Sequence, residues 1–65
     1  KMEDIKRLRE AQGKTQKQLA DEMGVERSTV AKWEAGTAFP RADKLPKLAE
    51  VLGCSVAELF NTESA

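Results

Sequence analysis

Histidine and tyrosine are absent from these 65 residues, cysteine and tryptophan occur once each, and two phenylalanines complete the aromatic set. Each shortage excludes something. The lone Cys54 cannot close an internal disulfide, and without histidine a structural zinc site lacks ligands, so the fold has to hold by packing alone. No apolar run approaches the roughly 18 residues that cross a bilayer, and no basic, apolar and small-residue succession marks a signal peptide, which fits a reducing, cytoplasmic setting. Nor is there a phosphate-binding glycine loop or a pair of carboxylates at catalytic spacing, so the chain reads as a non-enzyme that needs no metal and no cofactor. Charge of one sign is not in excess either, since eleven Lys and Arg balance eleven Asp and Glu. A strongly basic protein is excluded; a basic face is not, because the first 47 residues carry +3 and the rest −3.

What is present is a helical grammar. The chain is 40% hydrophobic and 34% charged, a globular composition. A chain this short buries only about 60% of the surface its unfolded form exposes, which allows one domain over residues 1–65 with a small core. Gly13, Gly24, Gly36 and Gly53 each follow a segment with apolar residues at helical spacing, where a left-handed C-terminal position favours glycine. Met2 reads as a native start behind an added Lys1, and residues 1–2 and 61–65 read as frayed ends.

The first segment, Glu3 to Gln12, places Ile5, Leu8 and Gln12 or Ala11 on one stripe, with Glu3 and Asp4 at the positive end of the helix dipole. The second opens on Thr15-Gln16-Lys17-Gln18, a capping box, and buries Leu19, Ala20 and Met23 before Gly24. About three residues later a third segment, Arg27 to Ala35, turns Val30 and Trp33 inward and Arg27, Ser28, Ala31 and Lys32 elsewhere. So short a link suits a sharp turn between crossed helices. Residues 36–42 form a loop with Phe39-Pro40 as its expected anchor in the core. A fourth helix is expected from about Asp43, which can cap it, because Pro46 belongs in a first turn; Leu45, Leu48, Ala49 and Leu52 make its buried stripe. A second capping box, Ser55 to Glu58, opens a short last helix that buries Val56, Leu59 and Phe60. No strand pattern is left over.

The run from Thr15 to Gly36, TQKQLADEMGVERSTVAKWEAG, resembles the helix-turn-helix of the phage repressor and Cro family, also called the xenobiotic-response-element type. The likeness continues through Pro40, Leu45, Leu48-Ala49, Leu52-Gly53 and Val56 to Phe60. It implies an all-α, lambda-repressor-like compact bundle of five helices with the motif in helices 2 and 3. It also implies a transcriptional regulator, expected to be a repressor, that reads duplex DNA with the helix from Arg27 to Glu34. Gln16 resembles the family's glutamine at a phosphate or the outer edge of the site; Arg27, Ser28 and Lys32 fall at base-reading positions, and Thr29 where a hydroxyl touches the DNA backbone. Arg9 and Glu34 occupy positions that in the family form an ion pair between helices 1 and 3.

The chemistry of these side chains fits such roles. Arg27 has a planar fork that can donate twice to guanine O6 and N7, its alternatives being a phosphate contact or plain solvation. Ser28 both donates and accepts, so it permits approach without naming a base. Lys32, one turn on, can donate to guanine or to phosphate, and Ala31 either meets a thymine methyl or makes room. Gln16 and Lys17 at a helix start, with Arg41 in the following loop, are the expected phosphate contacts; Lys14 and Lys44 are possible additions. Glu26 departs from the family's usual serine or threonine and is a poorer cap. Trp33, three residues after Val30, is read as core, and Cys54 as a small buried hydrophobe. One domain reads about one half-site, which calls for a homodimer on a palindromic operator, with the apolar Val56, Leu59 and Phe60 making helices 4 and 5 the expected surface. The rival reading is a protein-interaction module of the same fold, an antitoxin or adaptor.

Overall fold

The computed structural model describes residues 4–59. The frayed ends expected at residues 1–2 and 61–65, the part of Glu3 in the first helix and the burial of Phe60 lie outside the described residues. Within them, five α-helices follow one another without a strand: α1 (Asp4–Ala11), α2 (Gln16–Met23), α3 (Arg27–Ala35), α4 (Leu45–Leu52) and α5 (Val56–Leu59), with a 3-10 turn at Ala42–Lys44 before α4.

Local chemistry accounts for most of these limits. Thr15 Oγ1 accepts the Gln18 backbone N–H at 3.0 Å while Gln18 Oε1 accepts that of Thr15 at 2.7 Å, so two donors that the helix leaves free at its start are satisfied reciprocally. Ser55 and Glu58 repeat the arrangement at α5, at 3.1 and 2.7 Å. At the other end of α2, Gly24 adopts φ 71°, which lets the Val25 N–H reach back to the Ala20 carbonyl at 3.0 Å. A side chain there would be strained, and this turn sets the angle between α2 and α3.

Four expectations need correcting. Phe39 does not anchor the loop: Pro40 is buried but Phe39 is 70% exposed. Successive side chains of this extended loop face opposite ways, Pro40 inward and Phe39 outward. Asp43 does not cap α4, whose N-cap position is Lys44 with no side-chain bond. The 3-10 turn instead satisfies the entry, the Leu45 N–H donating to the Ala42 carbonyl, and Pro46 sits in the first turn of α4 where its missing N–H costs little. The inward stripe of α1 is Ile5, Leu8 and Arg9, with Ala11 and Gln12 exposed. Gln12 caps from outside, its Nε2 donating to the Leu52 carbonyl at 3.2 Å. That amide lies 2.7 Å from where a Cβ on Gly53 would stand, but it ends a flexible side chain that can move aside, so it is the φ of 73° that favours glycine at this position. Finally, Val56 is exposed, and of the expected α5 cluster Leu59 is the buried member.

The core is Ile5, Leu19, Ala20, Met23, Val30, Trp33, Leu48, Ala49, Leu52 and Leu59. Every helix contributes to it, and half-buried Leu8, Val25, Ala38, Leu45, Val51 and Cys54 pack around its edge. Because Val30 and Trp33 commit one side of α3 to this core, the opposite side is turned outward.

Candidate nucleic-acid interface

The outward side of α3 carries Arg27, Ser28 and Lys32, all exposed, with Thr29 and Ala31 half-buried beside them. Glu26 holds the N-cap position without a side-chain bond, as its length and charge suggest, since an aspartate or hydroxyl fits that geometry better. Arg27 turns instead toward α2, its Nη1 donating to Gln16 Oε1 at 3.4 Å.

Gln16 is the meeting point of a longer chain of contacts. Its Nε2 donates to Glu34 Oε1 at 3.0 Å. Glu34 in turn receives Arg9 through two bonds, Nε to Oε2 at 2.6 Å and Nη2 to Oε1 at 3.1 Å. Arg9 spends its remaining Nη1 on the Lys14 carbonyl at 2.7 Å, tying the α1–α2 turn to the same cluster. The two charged side chains are 9% and 5% exposed, so this is a fork-to-fork pair largely removed from water. Burial pushes the Glu34 carboxyl up, but the bonds from Arg9 and Gln16, with the charges of Arg9 and Lys6, bring it below the usual carboxylate range. The bond to Glu34 likewise holds the Arg9 guanidinium charged, against its own burial. Three helices thus meet at one carboxylate, and α3 cannot roll about its axis without breaking directional bonds.

The other anticipated residues sit apart from this cluster. Lys17 is exposed and pairs with Asp21 at 3.3 Å, one turn along α2. Arg41 is 80% exposed and lies 3.5 Å from Asp43. Lys14 is held by Glu22 at 3.0 Å. Ser28 and Lys32 make no side-chain hydrogen bond or ion pair among the described residues, and Lys44 is half-buried at the turn before α4. Burial, and then the Glu58 charge, push the Cys54 thiol up, which makes it a poor nucleophile. Among the described residues no three His, Cys, Asp or Glu side chains gather as a metal would need, and no helix is long and apolar enough to cross a membrane. The link from Gln16 to Glu34 was missed by sequence reasoning. It joins residues 18 apart on different helices, and no local pattern signals it.

Comparison with known proteins agrees with this geometry. Residues 5–59 match the helix-turn-helix family. The chain is 39% identical over 57 residues to the cryptic phage CTXphi transcriptional repressor RstR of Vibrio cholerae, covering 88% of this chain and 51% of that protein. It is 31% identical over 61 residues to the HTH-type transcriptional activator BcrR of Enterococcus faecalis, covering 94% and 30%. A third relative, the SPbeta prophage-derived uncharacterized HTH-type transcriptional regulator YonR of Bacillus subtilis, is 38% identical over 53 residues, covering 82% and 49%. The chain therefore spans about half or less of these relatives. Its backbone superimposes on a transcriptional regulator from Listeria innocua with a TM-score of 0.82 at 28% identity, over 100% of this chain and 64% of that one. The matched family, the capped turn at Gly24 and the exposed row on α3 coincide in one segment: this chain belongs to the helix-turn-helix family of the phage-repressor type.

Proposed function

We propose that the chain is the DNA-reading domain of a sequence-specific transcriptional regulator, a repressor, which lays α3 in the major groove of duplex operator DNA. The observation that carries this reading is the two-sidedness of α3. Val30 and Trp33 lock one side into the core while Arg27, Ser28 and Lys32 stand exposed on the other. A helix fits the major groove, where each base pair shows a distinct set of donors, acceptors and methyl groups. In this role Arg27 takes the O6 and N7 edge of guanine, Lys32 a neighbouring guanine, Ser28 allows close approach and Ala31 touches a thymine methyl. Gln16, Lys17, Thr29 and Arg41 meet phosphates, and the pair of Arg9 with Glu34 holds the reading angle.

Phosphate contacts supply most of the affinity of such complexes. With net charge zero, this chain should bind random DNA modestly and depend on the right operator. A homodimer through α4 and α5 on a palindromic site, its half-sites about one helical turn apart, would add the two weak grips together. Such a regulator works at the nucleoid, in the cytoplasm of a bacterium or of a phage-infected cell. The RstR likeness supports repression, and that to BcrR supports a regulator of either sign. One observation favours a second reading, a protein-interaction module: Phe39 stands 70% exposed in the loop after α3. Selection of binding sites from random duplexes at stated salt separates the two. Enrichment of a palindromic motif is expected, and no enrichment would leave the protein-interaction module.

A further inference from the structure

We propose that Glu26 reads a base: its carboxylate accepts the N4 amino group of a cytosine that adjoins the guanine taken by Arg27. The inference rests on the DNA reading above and deepens it by naming a second base. It starts from a side chain that the fold does not use. Glu26 stands at the beginning of α3 with φ −80° and ψ 153°, and its backbone carbonyl accepts the Thr29 N–H at 2.9 Å. Its side chain is exposed, makes no capping bond and, among the described residues, enters no ion pair. Arg27, its neighbour in sequence, donates to Gln16 instead. Glutamate is a worse cap than a hydroxyl or an aspartate, so local stability does not account for it. The dipole of α3 favours an acid anywhere in this turn and does not require one at the N-cap. Departures of this kind from local rules are expected at functional sites.

The complementarity is chemical. Where the recognition helix enters the groove by its N-terminal residues, Arg27 and Lys32 can only donate and Ser28 does both. Glu26 is the free acceptor of that set, since Glu34, the other carboxylate of α3, is bound to Arg9 and Gln16. In the major groove cytosine presents an amino donor, guanine and thymine present acceptors, and adenine sets an acceptor beside its donor. A carboxylate is attracted by the first and repelled by O6, N7 and O4, so it selects by rejection as well as by contact. Among phosphates an unmatched carboxylate weakens binding to every duplex, and the cytosine amino group offsets that loss at one site alone. The gap between operator and random DNA widens as a result.

The test uses Glu26→Gln, which keeps the shape and removes the charge, beside Arg27→Ala. Sites are selected from random duplexes at stated salt for each protein, and affinity is then measured on the operator with every base pair replaced in turn. The wild type should require a cytosine next to the guanine whose preference Arg27→Ala loses. Glu26→Gln should reduce the preference for that cytosine about five- to a hundredfold and turn it toward adenine, whose N6 and N7 suit an amide. On random duplexes the variant should bind slightly tighter, with one negative charge fewer. Its thermal transition should move by no more than a few degrees, because the side chain has no capping bond to lose. Unchanged preferences at every position, or an equal gain on all duplexes including the operator, overturns the cytosine contact. A large loss of thermal stability would give Glu26 a structural role and overturn it too. In either case the DNA reading stands if Arg27→Ala still loses its base pair. A wild type that enriches no motif would instead remove the DNA reading, and the cytosine contact with it.

Discussion

The front and back of this small bundle are held by different forces. At the front, α1, α2 and α3 converge on Glu34 through Arg9 and Gln16, by bonds whose direction matters. At the back, α4 and α5 contribute Leu48, Ala49, Leu52 and Leu59, apolar groups that reward burial without specifying an angle. Apolar burial supplies the larger share of stability, as in any small domain. The polar cluster adds orientation, which the proposed entry of α3 into a groove needs and a helix closing the back of a core does not. Among the described residues the exposed large apolar side chains are Phe39, in the loop after α3, and Val56 on α5.

Removing the shared core should erase the contrast altogether. Trp33→Ala is expected to cost about 3–5 kcal/mol, and in a domain of this size the thermal transition should collapse or vanish. If the transition survives within a few degrees, Trp33 is not the keystone its 2% exposure implies.

Breaking the front alone should cost somewhat less and should depend on pH. Glu34→Gln leaves Arg9 charged and poorly partnered where water has little access, a loss of about 3 kcal/mol by denaturant titration at neutral pH. The Glu34 pKa is lowered in the folded state, so its contribution is fully present above the unfolded value of about 4.3 and disappears as pH falls through the lower folded value. The wild type should therefore approach the variant in acid. Curves that stay parallel down to pH 2 would show that the pair is not what the variant removes.

The proposed DNA reading divides the front again, into readers and positioners. Arg27→Ala should lose about 1–3 kcal/mol of preference at one base pair. Arg41→Ala should weaken all duplexes alike and lower the salt slope by about one unit. Identical behaviour of the two would dissolve the division.

The smallest effect belongs to the exposed apolar side chains. Phe39→Ser and Val56→Ser should each change stability by no more than about 0.5 kcal/mol, since both side chains are exposed. If α4 and α5 form the dimer surface, Val56→Ser weakens self-association in sedimentation experiments; an unchanged monomer–dimer balance would move the interface elsewhere.

Legibility in the sequence followed the range of each interaction. The capping boxes at Thr15 and Ser55 span three residues, and their partners can be named from the chain alone. The limits of α3, between Glu26 and Gly36, are equally local. Phe39 was misread because hydrophobicity says that a residue favours burial and not which of two neighbours, Phe39 or Pro40, the loop turns inward. Asp43 was misread because two caps were available in principle, a carboxylate or a 3-10 turn, and Pro46 is compatible with both. The pair of Arg9 with Glu34 was legible through the family resemblance and not through helical spacing, by which an arginine on a charged helix reads as surface.

By itself, then, the sequence determined the helices, the capping boxes of α2 and α5, the turn at Gly24 and the inward stripe of α3, because contacts within three or four residues decide all of these. Only the tertiary structure decided that Gln16 lies between Glu34 and Arg27, that Phe39 faces out and that Gln12 closes α4. These depend on how whole helices cross, and a crossing angle is the outcome of many weak contacts that no short segment contains.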